Sequence, residues 1–255
     1  MAELENTADT PDPRAAQEPL SKDRVLHAAV AIANEKGLAA VSMRKIAQEL
    51  GAGAMSLYHY FPNKDALLDE MVDQVFARIE TPSLEDDWKT AMRSRAISTR
   101  RALNRHPWAL DVLESRTSPG MANLLQHNAI VGCLREAGFS IPDAVHAYSV
   151  QDAYIYGFAL QEKNVPFNTR EEAAAIGDMM VEQFRHLADV IPYSFELVDT
   201  YVARGGYDPT TEFLFGLDLI LDALEKRRDD HRTPDGPPEV PGGPSGALSS
   251  RHGRR

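Results

Sequence analysis

Between Ser42 and Lys64 the chain gathers side chains of the kinds that can bind phosphate and base edges. Ser42, Ser56, Tyr58 and Tyr60 supply hydroxyls, Arg44, Lys45 and Lys64 supply positive charge, and His59 supplies an imidazole, while no acidic residue occurs from 50 to 64. Hydroxyls and ammonium groups donate to phosphate oxygens, and a guanidinium such as that of Arg44 can pair both acceptors of guanine. Gly53, Ala54 and Met55 add only backbone, a methyl and a thioether. Against base edges such residues would offer little hydrogen-bond readout, leaving thymine-methyl contact or DNA shape to contribute more. A second chemically suggestive set lies farther on. A segment near 142 to 162 carries Tyr148, Tyr154, Tyr156 and Phe158 with Gln151 and Asp152 among them, and His106 and Trp108 flank Pro107 at a helix break. Aromatic walls with a few convergent polar groups suit a small-molecule pocket, although they suit an ordinary helical core as well.

Catalytic arrangements are missing from the same sequence. Gly51-Ala52-Gly53 follows a helix instead of a strand and lacks the third glycine of a dinucleotide fingerprint. No nucleophile motif, paired-cysteine metal site or phosphate loop occurs, so no enzyme activity and no cofactor is expected. His106, His127 and His146 form no pair with a metal-ligand spacing, and no metal is expected.

The elements that must position these residues are helices. Ser42 is a good N-cap, and Met43, Ile46, Ala47 and Leu50 follow at the spacing of one buried face. Gly51 supplies a helix stop, and a second helix is expected from Ala52 to Tyr60, with Leu57 inward and Ser56, Tyr58, His59 and Tyr60 outward. Ala47 sits where the two helices cross closely. That is the outline of a helix-turn-helix. A helix from Ser21 to about Lys36, stopped by Gly37, is expected to scaffold it by burying Val25, Leu26, Ala29, Ile32 and Ala33. Asn63 can cap a connecting helix to about Ile79. Beyond Thr81-Pro82 the pattern stays helical near 84–105, 108–115, 119–137, 142–162, 169–190 and 210–228, with one more short helix around 195–202. Ser140 with Pro142, the capping box Thr169 to Glu172 and Asp208-Pro209 open helices. The last helix carries Phe213, Leu214, Leu217, Ile220, Leu221 and Leu224 with Phe215 and Leu219 widening the face, more than one-sided packing requires.

Charge divides along the chain. The net charge is −11, yet residues 21 to 64 carry six cations against three acids, a local +3 set against −14 elsewhere. Attraction to phosphate decays within a Debye length, so a basic tip on an acidic body is compatible with DNA binding. Cys133 is the lone cysteine, which excludes an internal disulfide and reads as a small apolar core residue. No apolar run approaches the length of a membrane span and no leader pattern opens the chain, so no membrane partner and a cytoplasmic location are expected. Residues 1 to 19, with Pro11, Pro13, Pro19 and five acids, read as a disordered arm, and the Pro/Gly-rich stretch from 229 to 255 reads as a disordered tail.

Taken together, LSKDRVLHAAVAIANEKG, SMRKIAQELG, SLYHYFPNK and ALLDEMVD resemble the N-terminal domain of the tetracycline-repressor (TetR) family of one-component regulators. The likeness runs over residues 20 to 80, and Leu57-Tyr58-His59-Tyr60-Phe61 with Asn63-Lys64 is its most distinctive part. The resemblance implies an all-α protein with a helix-turn-helix DNA-binding domain at 20–62, a connecting helix at 63–80 and a ligand-binding and dimerisation domain at 81–228. It implies that Ser42, Ser56, Tyr58, Tyr60 and Lys64 hold the DNA backbone and that Arg44, Gly53, Ala54 and Met55 face base edges. It also implies a homodimer, paired through the last helix and the one two before it, acting on a double-stranded, palindromic DNA operator. A small-molecule inducer of unknown identity would release a repressor of this kind by changing the angle between the two reading heads. An enzyme and an all-helical interaction module remain the rivals, and neither requires salt-dependent duplex binding.

Overall fold

The computed structural model describes residues 19–114, 120–165 and 167–231. Among them every regular element is a helix, and no strand occurs. The N-terminal arm to residue 18 and the tail from 232 lie outside the described residues; residues 229–231 belong to the last helix. Two compact units are present. One runs to Ile79 and takes in Thr99–Leu125, and the other comprises Glu80–Ser98 and the chain from Gln126.

The first unit begins with α1 (Lys22–Lys36), whose Ser21 cap accepts from the Arg24 N–H at 3.2 Å. Gly37, at φ 78°, ends the helix in a conformation that costs a Cβ-bearing residue more. A single 3₁₀ turn (Leu38–Ala40) leads to α2 (Met43–Glu49), capped by Ser42. Gly51, at φ 64°, turns the chain into α3 (Ala54–Leu57). That helix is shorter than the expected Ala52–Tyr60. Gly53 at its start has no side chain to cap it, and at its end the Tyr58 N–H bonds Met55 while the Tyr60 and Phe61 N–H groups both bond Leu57. Phe61 precedes Pro62, and the proline ring disfavours helical geometry at the residue before it, so the chain leaves in tight turns.

Asn63 then caps α4 (Lys64–Phe76), its Oδ1 accepting from the Ala66 N–H at 2.7 Å. Val25, Ala29, Ile46, Leu57, Leu67 and Met71 form the fully buried centre beneath the helix-turn-helix. Trp108–Glu114 forms α6, which packs on α4 within the same unit.

In the second unit α5 (Trp88–Arg105, here to Ser98), α7 (Met121–Glu136, here from Gln126), α8 (Ile141–Asn164) and α11 (Pro209–His231) enclose Met92, Leu134, Phe139, Ile155, Phe213, Leu217 and Leu221. α5 starts at Trp88 instead of 84 because Asp87 Oδ2 caps it through the Lys89 and Thr90 N–H groups, both at 3.1 Å. α9 (Arg170–Phe184) ends earlier than expected and passes into a 3₁₀ turn, Arg185–Leu187. In its capping box the Thr169 hydroxyl accepts from Glu172 N–H, but the Glu172 carboxylate reaches back one residue farther, to the Asn168 N–H at 2.7 Å. α10 (Pro192–Leu197) continues as a π turn, Val198–Val202, which lies on α9. The contact is tight enough that a Cβ on Gly177 would come 2.7 Å from the Ala203 nitrogen. α11 reaches three residues past the expected boundary to His231, which with Arg227 bonds Asp143 near the start of α8.

Candidate nucleic-acid interface and ligand site

Most of the DNA-facing candidates stand on the open surface of the helix-turn-helix. Ser42, Arg44, Gly53, Met55, Ser56, Tyr58, His59 and Lys64 are exposed, and Lys45 and Ala54 are half-buried. Met55 shows 77% of its surface, so an apolar side chain stands out at the tip of α3. Ser42 Oγ accepts from the Lys45 N–H at 3.2 Å, which anchors the start of α2 while leaving the hydroxyl hydrogen to donate. Arg44, Lys45 and Lys64 make no ion pair among the described residues. Lys22, by contrast, pairs with Glu70 of α4 at 2.9 Å. The charge of Lys22 is therefore offset by Glu70, and Arg44, Lys45 and Lys64 are the cations of this region left without an ion pair on α2 and at the start of α4, where Asp65 follows Lys64.

Tyr60 departs from the expected outward set. It is half-buried, and its hydroxyl donates to the Leu20 carbonyl at 2.6 Å. The O–H that would have donated to a phosphate ties the end of the turn to the chain entering α1.

The aromatic and polar candidates for a ligand do not form one set. His106 and Trp108 belong to the first unit, where Asn34 of α1 engages both: His106 Nδ1 lies 2.9 Å from Asn34 Oδ1, and Trp108 Nε1 donates to the same oxygen at 2.7 Å. Burial, with the charges of Arg78 and Arg105, holds the His106 imidazole below its ordinary value, so it is neutral near pH 7 with Nδ1 carrying the donor hydrogen. In the same unit Asp73 of α4 caps α7 from outside, accepting from the Ala122 N–H at 2.8 Å. Gly120 permits this approach, since a Cβ there would overlap the Asp73 carboxylate. Neither Asn34 nor Asp73 carries a sequence signal, because each acts on a helix distant in the chain.

In the second unit the α8 candidates divide by helix face. Tyr154 and Phe158 turn towards α11: Tyr154 donates to the Phe213 carbonyl at 2.9 Å, its ring stacks on Phe213 at 5.5 Å, and Phe158 meets Phe213 edge-on at 5.2 Å. Gly216 makes room for the Tyr154 hydroxyl. These two rings build the α8–α11 contact, the core alternative open at the sequence level. Gln151 and Asp152 turn towards α5, where the Arg95 guanidinium donates Nη1 to Gln151 Oε1 at 3.1 Å and Nη2 to Asp152 Oδ1 at 2.7 Å. Tyr156 lies one turn beyond Asp152 on the same stripe; burial, and secondarily the Asp152 charge, pushes its phenol up, so it stays a protonated donor. Arg95 is the participant that sequence reasoning missed. It is one of several arginines in α5, and only the packing makes it the buried one.

Residues 25–71 match the model described as bacterial regulatory proteins, tetR family, and residues 81–228 match that of the tetracyclin repressor-like C-terminal domain. The chain belongs to the TetR family. It is 34% identical to the HTH-type transcriptional repressor DrrR1 of Streptomyces coeruleorubidus over 81% of this chain and 77% of that one. It is 32% identical to the class A tetracycline repressor protein from transposon 1721 of Escherichia coli, over 86% of this chain and 96% of the relative. Among solved structures, the Streptomyces coelicolor TetR family protein ActR in complex with actinorhodin superposes with a TM-score of 0.67 at 27% identity, covering 83% of this chain and 99% of ActR. This TetR-family chain is accordingly a DNA-binding transcriptional regulator of the ligand-responsive, repressor type. Among its described residues no helix is long and apolar enough to cross a membrane, and no group of three or more His, Cys, Asp or Glu residues is placed to hold a metal ion.

Proposed function

We propose that this regulator is a homodimer that represses transcription from a palindromic double-stranded operator and is released by a small planar aromatic molecule bound in its C-terminal unit. The observation that carries the DNA reading is the surface of α2, α3 and the first residue of α4, where three cations without ion pairs, Arg44, Lys45 and Lys64, accompany hydroxyls and a short apolar tip. Ser42, Ser56, Tyr58 and Lys64 hold phosphates, with His59 beside them, while Arg44 reads a guanine and Gly53, Ala54 and Met55 approach the groove closely. Tyr60 contributes by fixing the turn. One helix-turn-helix reads too few base pairs for specificity, which favours two copies on two half-sites. Exposed apolar side chains on two helices packed against each other support such pairing: Val145, Val150 and Leu160 on α8, Phe215 and Leu219 on α11. Under this reading the protein works in the cytoplasm, where operator DNA lies.

The ligand reading is supported by the polar and aromatic stripe of α8 and by the actinorhodin complex of ActR. The test is an anisotropy titration on duplexes from the protein's own upstream region at two salt concentrations. Binding is expected to be saturable and to weaken with salt. Arg44→Ala is expected to relax discrimination at one base position, whereas Lys64→Ala weakens all sequences alike. Equal loss at every base for Arg44→Ala would remove its assigned role, and salt-independent or absent binding would remove the DNA reading.

A further inference from the structure

One stripe of α8 carries Tyr148, Asp152 and Tyr156 at four-residue spacing. Eight residues of helix separate the two phenols, so they stand about 12 Å apart along the axis with a carboxylate midway. The α7 residue His127 meets the Tyr148 ring edge-on, with centroids 4.8 Å apart. The Arg95 guanidinium lies behind Asp152, and the two halves of this ion pair are unequally exposed: 4% of the Arg95 side chain and 24% of the Asp152 side chain reach solvent. Arg95 is also held by Gln151, which is wholly buried. Asp152 Oδ2 and the hydroxyls of Tyr148 and Tyr156, all on half-buried residues, have no hydrogen-bond partner among the described residues.

This arrangement is a poor way to stabilise a fold. A largely buried ion pair seldom outperforms apolar residues of the same size. It is well suited to presenting one fixed acceptor. Arg95 takes one carboxylate oxygen, Oδ1, and leaves Oδ2 on a stripe with a phenol four residues to either side.

We propose that this stripe selects a neutral, planar aromatic ligand that donates a hydroxyl hydrogen bond to Oδ2 of Asp152 between Tyr148 and Tyr156, with Arg95 as the positioning residue. The inference rests on the ligand-binding reading above and specifies its chemistry. The charges of Arg95 and Asp152 cancel, so a charged ligand group would enter a poorly solvated site with no counter-ion. An ether or ketone at the same point brings an acceptor against an acceptor. A hydroxyl alone satisfies the carboxylate without adding charge, and the rings supply flat apolar surface for the ligand plane.

The experiment compares two probes on the full-length protein by calorimetry and intrinsic fluorescence: an anthraquinone with a hydroxyl on its outer ring edge, too far from the quinone carbonyls to bond them, and the methyl ether of the same compound. The hydroxyl compound is expected to bind about tenfold or more tightly than the ether, the worth of one charge-assisted hydrogen bond. In Asp152→Asn the amide oxygen can still accept from Arg95 while the outward atom becomes an NH₂ donor, so the preference is expected to vanish or reverse with binding retained. Equal binding of the two probes to the parent protein overturns the hydroxyl-donor proposal and leaves the ligand site standing. An undiminished preference in Asp152→Asn also overturns it. Binding of neither probe overturns the planar aromatic site itself. The comparison on the parent protein needs no variant, so a folding defect in Asp152→Asn does not remove the test.

Discussion

Replacing Asn34 by alanine is expected to destabilise the first unit by about 2 kcal/mol, through two buried donors on α6 and the turn before it. One oxygen, Asn34 Oδ1, accepts from Trp108 Nε1 at 2.7 Å and from His106 Nδ1 at 2.9 Å. Both donor residues are buried, at 3% and 5% exposure. A buried donor left unmet costs about 1–3 kcal/mol. Two such losses would reach the top of that range or beyond, but Asn34 itself is exposed, so water can enter from its side and replace part of each bond. Alanine also gains roughly 0.5 kcal/mol of helix propensity over asparagine within α1. The balance is about 2 kcal/mol. The assay is denaturant unfolding followed by tryptophan emission in a Trp88→Phe background, in which Trp108 is the single remaining tryptophan. The midpoint should fall and native emission should shift to the red as the indole N–H meets water. Asn34→Asp retains the acceptor and should recover most of the loss. A change below about 0.5 kcal/mol for Asn34→Ala, or an equal loss for Asn34→Asp, would refute the idea that one oxygen holds both rings.

Other outcomes follow from single contacts. Tyr60→Phe should cost about 0.5–1.5 kcal/mol in unfolding experiments, through loss of the bond to Leu20, while leaving the salt dependence of DNA binding unchanged. The hydrogen bonds from His231 and Ser140, with that from Arg227, hold the Asp143 carboxyl below its ordinary 3.8. A depressed carboxylate contributes stability that is fully present above the unfolded value and is lost as pH falls through the folded one, so acid unfolding below about pH 4 should be less steep in Asp143→Asn. His106 carries the corresponding sign for a base with a lowered value: stability should fall as pH drops below the ordinary 6.5, and His106→Gln should flatten that slope in pH-dependent melts. Phe215→Lys should shift the protein towards monomer in sedimentation velocity with its helical content retained, since Phe215 is 64% exposed and fills no core position.

The all-helical class, the helix-turn-helix, its caps and its buried face follow from local chemistry, and the sequence by itself determined them. Ser21, Ser42, Asn63 and Ser140 cap within three residues of themselves, Gly37 and Gly51 adopt the left-handed backbone close to where each helix ends, and the burial of Val25, Ile46, Leu57 and Leu67 repeats the apolar period. The exposure of the Arg44 and Ser56 side chains opposite the buried Ile46 and Leu57 was legible for the same reason, since residues three and four apart on a helix share a side. Only the tertiary structure decided what depends on groups distant in the chain. Tyr60 looked outward until its hydroxyl met Leu20, forty residues earlier. His106 and Trp108 looked like pocket walls until Asn34 met both. The four-residue period placed Tyr148, Asp152 and Tyr156 on one stripe, but it could not reveal that Arg95, fifty-seven residues before Asp152, stands behind it, or that Tyr154 and Phe158 face α11. Periodicity specifies which residues share a face, and only packing specifies what that face meets, because a buried hydrogen bond needs two partners and the sequence around one of them carries no mark of the other.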